Sequence, residues 1–343
     1  MTGETAILCT TICADRNTVD IKKSTDITCL GVLLVDFFPL EIGRTYSEIS
    51  AFRPVPGGAP ANLAVAAARL GAKTAFIGKV GADPFGKWLA DIIAKEGVDI
   101  RGMRFDPHVR TTINFIAQPD VNSYICFFYR NPGADTCLER SELDEELIRD
   151  SKAFHFDSLA LTDEPSRSAA QSAAQSARQA GALVSFDVNY RPTLWKNPAE
   201  ALAAIRPVLG MVDLLKMNLE ELELLTGEKS LSSAQCILEQ GPGLCIVTLG
   251  EQGSYFAIPG GSRLVPAYTV NTVDATGCGD AFLAGLLYRL VQEEPRRSKW
   301  SADFLREALQ FANAVGALTS LTQGVIPALP FKAQVDEFIR NHP

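Results

Sequence analysis

The segment Asp274-Ala-Thr-Gly-Cys-Gly-Asp280 holds the densest candidate chemistry in this 343-residue chain. Gly277, Cys278 and Gly279 sit where a loop feeds an apolar helix predicted over Gly279–Val291. Amides at such a helix start can converge on an anion, and glycines let the backbone approach phosphate oxygens closely. Asp280 falls in the first helical turn, where its carboxylate can accept a proton from a hydroxyl. Asp274 and Asp280 also fit plain helix caps, and residue types alone leave both readings open. Two other phosphate patterns fail. No G-x-G-x-x-G follows a strand. Gly81-Ala-Asp-Pro-Phe-Gly86-Lys87 is followed by Trp88 where a Ser or Thr should hold Mg2+, and its Asp83-Pro84 reads as a cap and turn. With 3 His, 8 Cys and no Cys-x-x-Cys pair, a structural zinc site is not expected.

The elements that must position these residues alternate between two periods. Ile27–Val35, Thr74–Val80, Ala153–Phe156, Leu183–Val188, Val212–Met217 and Cys245–Leu249 read as apolar strands. Pro60–Leu70, Asp83–Glu96, Pro165–Gln179, Pro198–Leu209, Leu219–Thr226 and Ala302–Leu321 read as helices. Thr112–Ala117 and Tyr124–Tyr129, joined by a polar tip, read as a hairpin. Strand–helix alternation with apolar strands means a parallel sheet covered on both faces. Residues 1–25 are aperiodic, an extension whose role the sequence does not show, and one α/β domain is expected over 26–341. With 40 acidic against 32 basic side chains, the net charge of −8 speaks against nucleic-acid binding. No apolar run approaches the roughly 18–20 residues of a membrane span. Ala6–Cys13, preceded by Glu4, is too short for a signal peptide. The expected setting is a reducing cytoplasm, with most cysteines packed as small core residues.

Several segments together carry a resemblance. Asp274–Phe282 resembles the second signature of the ribokinase-like (PfkB) carbohydrate kinases. Gly57-Gly58-Ala-Pro-Ala-Asn62, Arg69-Leu-Gly71 and Gly78–Gly86 are similar to the first. Phe128-Tyr-Arg130-Asn-Pro-Gly-Ala-Asp135 is similar to a segment of the fructokinase branch. Leu33–Phe37 and Asp187-Val-Asn-Tyr-Arg191 fit that branch and also the 2-keto-3-deoxygluconate kinases. The match runs from about Ile27 to Pro330.

The resemblance implies a three-layer fold with a central, mostly parallel sheet and a small β-sheet lid, its segments near 36–57 and 107–131. It implies an ATP-dependent sugar kinase: fructokinase is the leading reading, and 2-keto-3-deoxygluconate or 5-dehydro-2-deoxygluconate kinase the alternative. A non-catalytic binding protein of the same fold is a third reading, against which the retained Asp280, Gly277 and Gly279 count. By matching position, Asp280 is the base and Gly277, Cys278 and Gly279 the anion hole. Asp36, Gly58 and Asn62 hold sugar hydroxyls, while Arg110, Arg130 and Arg191 are candidates for an acid substrate's carboxylate. Lys216, Asn218 and Glu221 lie near phosphates and Mg2+, and Thr248, Gly250, Gly253 and Asn313 near the nucleoside. Asp274, Thr276 and the carbonyls of 319–324 would line a K+ loop, with K+ an optional activator. The partners implied are sugar and ATP, and the lid allows a homodimer. Two positions depart from the pattern. Val32 stands where the family's fructokinases often carry Glu. Cys278 stands where Ala is common, and a thiol at a helix start is expected to have a lowered pKa and to make the enzyme oxidant-sensitive.

Overall fold

The structure, a computed structural model, describes residues 23–120, 123–293 and 300–342. Most of the extension assigned to residues 1–25 lies outside the described residues. Its last three belong to the folded body: Lys23 Nζ donates to the Ser151 carbonyl at 2.7 Å, and Thr25 opens the first strand. The strands are β1 Thr25–Leu30, β2 Leu34–Pro39, β3 Phe52–Gly57, β4 Thr74–Gly81, β5 Asp99–Asp106, β6 Ile113–Asp120, β7 Ser123–Tyr129, β8 Ser151–Asp157, β9 Leu183–Asp187, β10 Leu214–Asn218, β11 Leu244–Thr248, β12 Ser254–Ile258 and β13 Gly261–Val265. The helices are α1 Ala59–Arg69, α2 Pro84–Lys95, α3 Glu145–Arg149, α4 Ser166–Gln179, α5 Pro198–Leu209, α6 Leu219–Thr226, α7 Ala234–Leu238, α8 Cys278–Glu293, α9 Ala302–Thr319 and α10 Lys332–Asn341.

Nine strands form one sheet in the order β13-β12-β11-β10-β9-β8-β1-β4-β5. The run from β5 to β11 is parallel, and β12 and β13 extend it as antiparallel edge strands. β8 and β9 are buried along almost their whole length because helices cover both faces. One face packs α1, α8 and α9, the other α4 and α5, so two apolar cores sandwich the sheet. α4 shows how its sequence permits this. Ala169, Ala170, Ala173, Ala174 and Ala177 form a narrow buried stripe, while the Ser and Gln residues between them face outward.

A second, four-stranded sheet has the order β3-β2-β6-β7. The apolar run Ile27–Val35, read as one strand, is two strands in different sheets. The chain turns between them at Gly31, where a side chain would press on Pro60 Cγ at 2.6 Å. β3 was not legible as a strand because Pro54 and Pro56 interrupt it, yet prolines are tolerated at its edge position. β5, β12, β13 and α10 also went unread. The cysteines divide differently from the expectation: Cys29 and Cys245 are buried, Cys126, Cys137 and Cys278 half-buried, and Cys236 exposed. Among the described residues no helix is long and apolar enough to cross a membrane.

Candidate active site

Ligands of parallel α/β sheets sit beyond the carboxyl ends of the strands. Here those ends carry Asp157 on β8, Asp187 on β9 and Asn218 on β10, and the N-termini of α1 and α8 meet them from one side. Asn62, in the first turns of α1, donates its Nδ2 to Asp280 Oδ2 at 2.9 Å, joining the two helix starts. Burial pushes the Asp280 carboxyl up to about 6, although the Asn62 bond and the Lys216 ammonium oppose it. The second sheet contributes Asp36 from β2, whose Oδ1 accepts the Asn114 amide of β6 at 2.7 Å. Burial pushes Asp36 up to about 6 as well, with Asn114 and Arg191 pulling down and Asp280 adding to the rise. Asn62 and Asn114 each spend their amide on a carboxylate and keep a buried carbonyl oxygen with no partner among the described residues. Gly57 must be glycine because a Cβ there would overlap Asp36 Oδ2, and Gly58, at φ 111°, lies against the Val32 carbonyl. Val32 itself packs with Leu34 and Leu159, a role in strand packing.

On the other side, Lys216 Nζ donates to Asp187 Oδ2 at 2.9 Å and lies 3.2 Å from where a Cβ of Gly279 would stand. Burial alone would lower the Lys216 pKa, but Asp187 and Glu221 more than offset it and hold it above the usual lysine range. In the first turn of α8, Cys278 N–H is taken by the Ala275 carbonyl at 3.3 Å and Ala281 N–H by Gly277 O at 2.9 Å. Gly277, Gly279 and Asp280 are the amides there with no backbone acceptor among the described residues. Asn218 caps α6: its Oδ1 accepts Glu221 N–H at 2.8 Å, and Glu221 Oε2 accepts Asn218 N–H at 2.7 Å. The other Glu221 oxygen accepts Tyr190 N–H at 2.7 Å.

Thr248 ends β11, with Gly250 and Gly253 in the turn after it. Gly253, at φ 101°, packs so closely on the chain at 265–267 that a Cβ would strike the Val265 carbonyl. Asn313 of α9 donates to the Val265 and Pro266 carbonyls at 3.2 and 3.0 Å, so it ties this same strip down. These four residues are therefore brought together along one edge of the cleft.

Two expectations change. Arg130 is 6% exposed and bound by Asp135, Thr162 Oγ1 and the Leu159 carbonyl, so it holds the post-hairpin loop and is not presented to a substrate. Cys278 is not an activated thiol: burial, with Asp274 and Asp280 nearby, pushes it up to about 12. The helix start lowers a thiol pKa only where solvent and cations outweigh such desolvation. In the proposed K+ loop, Asp274 Oδ1 accepts Thr276 N–H and Oγ1–H at 2.9 and 2.7 Å, and Oδ2 accepts Gly324 N–H at 2.9 Å. The Ser320 carbonyl already receives two amides. The Asp274 carboxylate and the Ser320 carbonyl thus tie the loop before α8 to the strip at 319–324. The Gly81–Trp88 segment is a helix cap, with Asp83 accepting Gly86 N–H at 2.9 Å.

Asn114, Asp157, Asn189 and Gly57 were not assigned from sequence. The one signal available was that Ala153-Phe-His-Phe-Asp157 and Leu183-Val-Ser-Phe-Asp187 both end an apolar strand on an aspartate. Asp157 is fully buried, accepts Asn189 Nδ2 at 2.8 Å and is pushed by burial up to about 7. Arg191 remains half-buried beside Asp36, Asp157 and Asp280 and donates to the Tyr190 carbonyl at 3.2 Å.

Comparison with known proteins places this geometry. Residues 24–332 match the model of the pfkB family carbohydrate kinases. The chain is 41% identical over 316 residues to a protein named probable fructokinase-2 from Arabidopsis thaliana, covering 92% of this chain and 95% of that one. A fructokinase from Xylella fastidiosa with bound ATP superposes with a TM-score of 0.85 at 31% identity, covering 94% and 99% of the two chains. A fructokinase from Vibrio cholerae O395, in fructose, ADP and calcium ion bound form, superposes at 0.81 with 34% identity, covering 92% and 98%.

Proposed function

The chain belongs to the pfkB family of carbohydrate kinases, and from that premise we propose that it is an ATP-dependent fructokinase, converting D-fructose to D-fructose 6-phosphate. The observation that carries the choice of sugar is the pair of asparagines on the sugar side. Each donates to a carboxylate and keeps an unpaired carbonyl, so Asp36, Asn62, Asn114 and Asp280 offer alternating acceptors to a polyol whose hydroxyls both donate and accept. A sugar acid would meet Asp36, Asp157 and Asp280 with Arg191 as the cation beside them, since Arg130 is bound to Asp135. That balance favours the neutral substrate over the keto-deoxy acids.

In this reading Asp280 takes the proton of the attacking hydroxyl, and its carboxyl near 6 suits a base that works near neutral pH. The open amides at the start of α8 receive the transferring phosphoryl group, whose transfer depends on positioning and charge stabilisation. Among the described residues no three His, Cys, Asp or Glu side chains converge as a metal site. Mg2+ would instead enter with the nucleotide, held by phosphates and by water, Glu221 acting through that water because its two oxygens already accept the Tyr190 and Asn218 amides. The metal would neutralise charge on the phosphates. Thr248, Gly250, Gly253 and Asn313 line the nucleoside side. The second sheet closes over the sugar and excludes water. Its outer surface exposes Ile125, Phe127 and Tyr129, which suits pairing with a second copy. The described cysteines are free thiols, in keeping with a cytoplasmic enzyme.

The test is ADP release from ATP and Mg2+ with D-fructose, glucose, ribose, adenosine, 2-keto-3-deoxygluconate and 5-dehydro-2-deoxygluconate. Saturable turnover with fructose alone is expected. A preference for a keto-deoxy acid overturns the fructose assignment and leaves the kinase chemistry in place.

A further inference from the structure

In the turn Asp187-Val-Asn189-Tyr-Arg191, Arg191 faces the sugar side while the other polar groups are spent on the phosphate side. Asp187 Oδ2 receives Lys216 Nζ at 2.9 Å and its Oδ1 receives Asn189 N–H at 3.2 Å. Asn189 Nδ2 donates to Asp157 Oδ2 at 2.8 Å, and Asp157 Oδ1 accepts Leu159 N–H at 3.2 Å. The result is a chain of contacts, Asp157–Asn189–Asp187–Lys216, whose members are 0%, 6%, 2% and 8% exposed. It ends beside Gly279, where the missing side chain leaves the ammonium open to the start of α8.

Two features mark this chain as more than packing. Asn189 is the one non-glycine residue with positive φ, 39°, among the described residues, a conformation that persists where surroundings over-determine it. A buried Asp–Lys pair is also a poor way to gain stability, because desolvation offsets most of the attraction. An ammonium has three donors. Among the described residues one is held by Asp187, which leaves the others for an anion arriving at the open amides of Gly279 and Asp280.

We propose that Lys216 clamps the phosphoryl group in transit, and that Asp157, acting through Asn189 and Asp187, is the positioning residue that fixes the Lys216 ammonium against Gly279. The proposal rests on the sugar-kinase reading above. The bond between the γ-phosphorus and the ADP oxygen breaks, the bond to the sugar oxygen forms, and the hydroxyl proton passes to Asp280. Lys216 keeps its protons throughout and donates hydrogen bonds to the phosphoryl oxygens. Its charge counts most where negative charge is shared between donor and acceptor.

A double-mutant cycle tests this. Lys216→Met should lower kcat about 100-fold with the sugar KM changed less than about threefold. Asn189→Gly keeps the left-handed backbone but removes the amide that reaches Asp157, and should lower kcat about tenfold. If the relay acts through Lys216, Asn189→Gly costs nothing further in the Lys216→Met background. A tenfold loss that persists there overturns the relay. A second readout does not depend on turnover: titration of ADP with aluminium fluoride, in the presence of the sugar the wild type turns over. Both variants should bind this mimic at least about tenfold more weakly while binding ADP alone within about twofold of wild type. Equal binding of the mimic overturns the clamp. Wild-type activity on a sugar other than fructose defeats the fructose assignment only, and the cycle is then run with that sugar.

Discussion

Two helix starts in this molecule use one device with opposite charge. At the entrance to α1, the absent side chain of Gly57 makes room for the Asp36 carboxylate. At the entrance to α8, the absent side chain of Gly279 makes room for the Lys216 ammonium. Both helices begin with amides that favour negative charge. At α1 that preference is already met by a resident acid, so the space beyond it suits neutral hydroxyls. At α8 a cation adds to the helix field, so the space suits an anion. The glycine pattern marks where a backbone is approached closely, and the residue delivered from a distant strand decides by what. The hydrogen bond from Asn62 to Asp280 puts the two spaces side by side, as transfer between a sugar and a phosphate requires.

The strongest way to break this pairing is to remove the group that bridges it. Asp280→Asn should lower kcat by about 10²–10⁴-fold with little change in fructose KM, as for loss of a general base. Near-native turnover would show that the base lies elsewhere. A finer cut separates the two helix starts. Gly57→Ala drives a methyl group onto Asp36, and Asp36→Asn neutralises it. Each should raise fructose KM about 10–100-fold, the scale of about 1–3 kcal/mol for a disturbed buried hydrogen-bonding group, with a smaller effect on kcat. Gly279→Ala faces the end of a flexible lysine at 3.2 Å, so it should fold and should lower kcat about tenfold with fructose KM nearly unchanged. Steady-state kinetics on the three variants tests the comparison, and the same kinetic pattern in all of them would remove its basis.

Charge on the two sides should also be visible against pH. Asp36 and Asp280 are both pushed up to about 6, chiefly by burial. Both must be ionised in the proposed reaction, so kcat/KM should fall as pH drops through about 6, with a limiting slope approaching two. Asp36→Asn should reduce that slope to one. Stability runs the other way. With carboxyls raised to about 6 and, at Asp157, about 7, the folded state holds more protons than the unfolded state between about pH 4 and 7. Their stabilising contribution is full below about pH 4 and is lost as pH rises through 6–7. Thermal melts of the ligand-free protein should show it, with a higher Tm at pH 5.5 than at pH 8.

Much of this layout was legible in the residues, and the reasons for the misses are physical. The parallel strands announced themselves because both of their faces are buried, which makes continuous apolar runs. Asp280, Gly277 and Gly279 stood out because a glycine-rich helix start is a local pattern. Asp157 and Asn114 did not, since their meaning depends on strands far apart in sequence lying at one sheet edge. Arg130 misled for the same reason: a lone arginine reads as a free cation until the fold brings Asp135 and Thr162 to it. β3 and β13 were missed because edge strands with prolines or exposed faces lack the apolar signature of the central ones.

Cys278 offers the smallest and most discriminating effect. Its position at a helix start suggested a reactive thiolate, yet its sulfur is buried beside two carboxylates. Burial comes first and the neighbouring Asp274 and Asp280 carboxylates add to it, and each disfavours a second negative charge. Its Sγ approaches the Asp274 carbonyl at 3.8 Å, a contact that suits a thiol and not a thiolate. Cys236, by contrast, is exposed. In a time course of iodoacetamide labelling at pH 8 read by peptide mass spectrometry, Cys236 should be alkylated more than about tenfold faster than Cys278. Preferential labelling of Cys278 would mean that the helix field and Lys216 reach this sulfur more strongly than the two aspartates do, and the desolvated, aspartate-flanked setting assigned to this thiol would have to be redrawn.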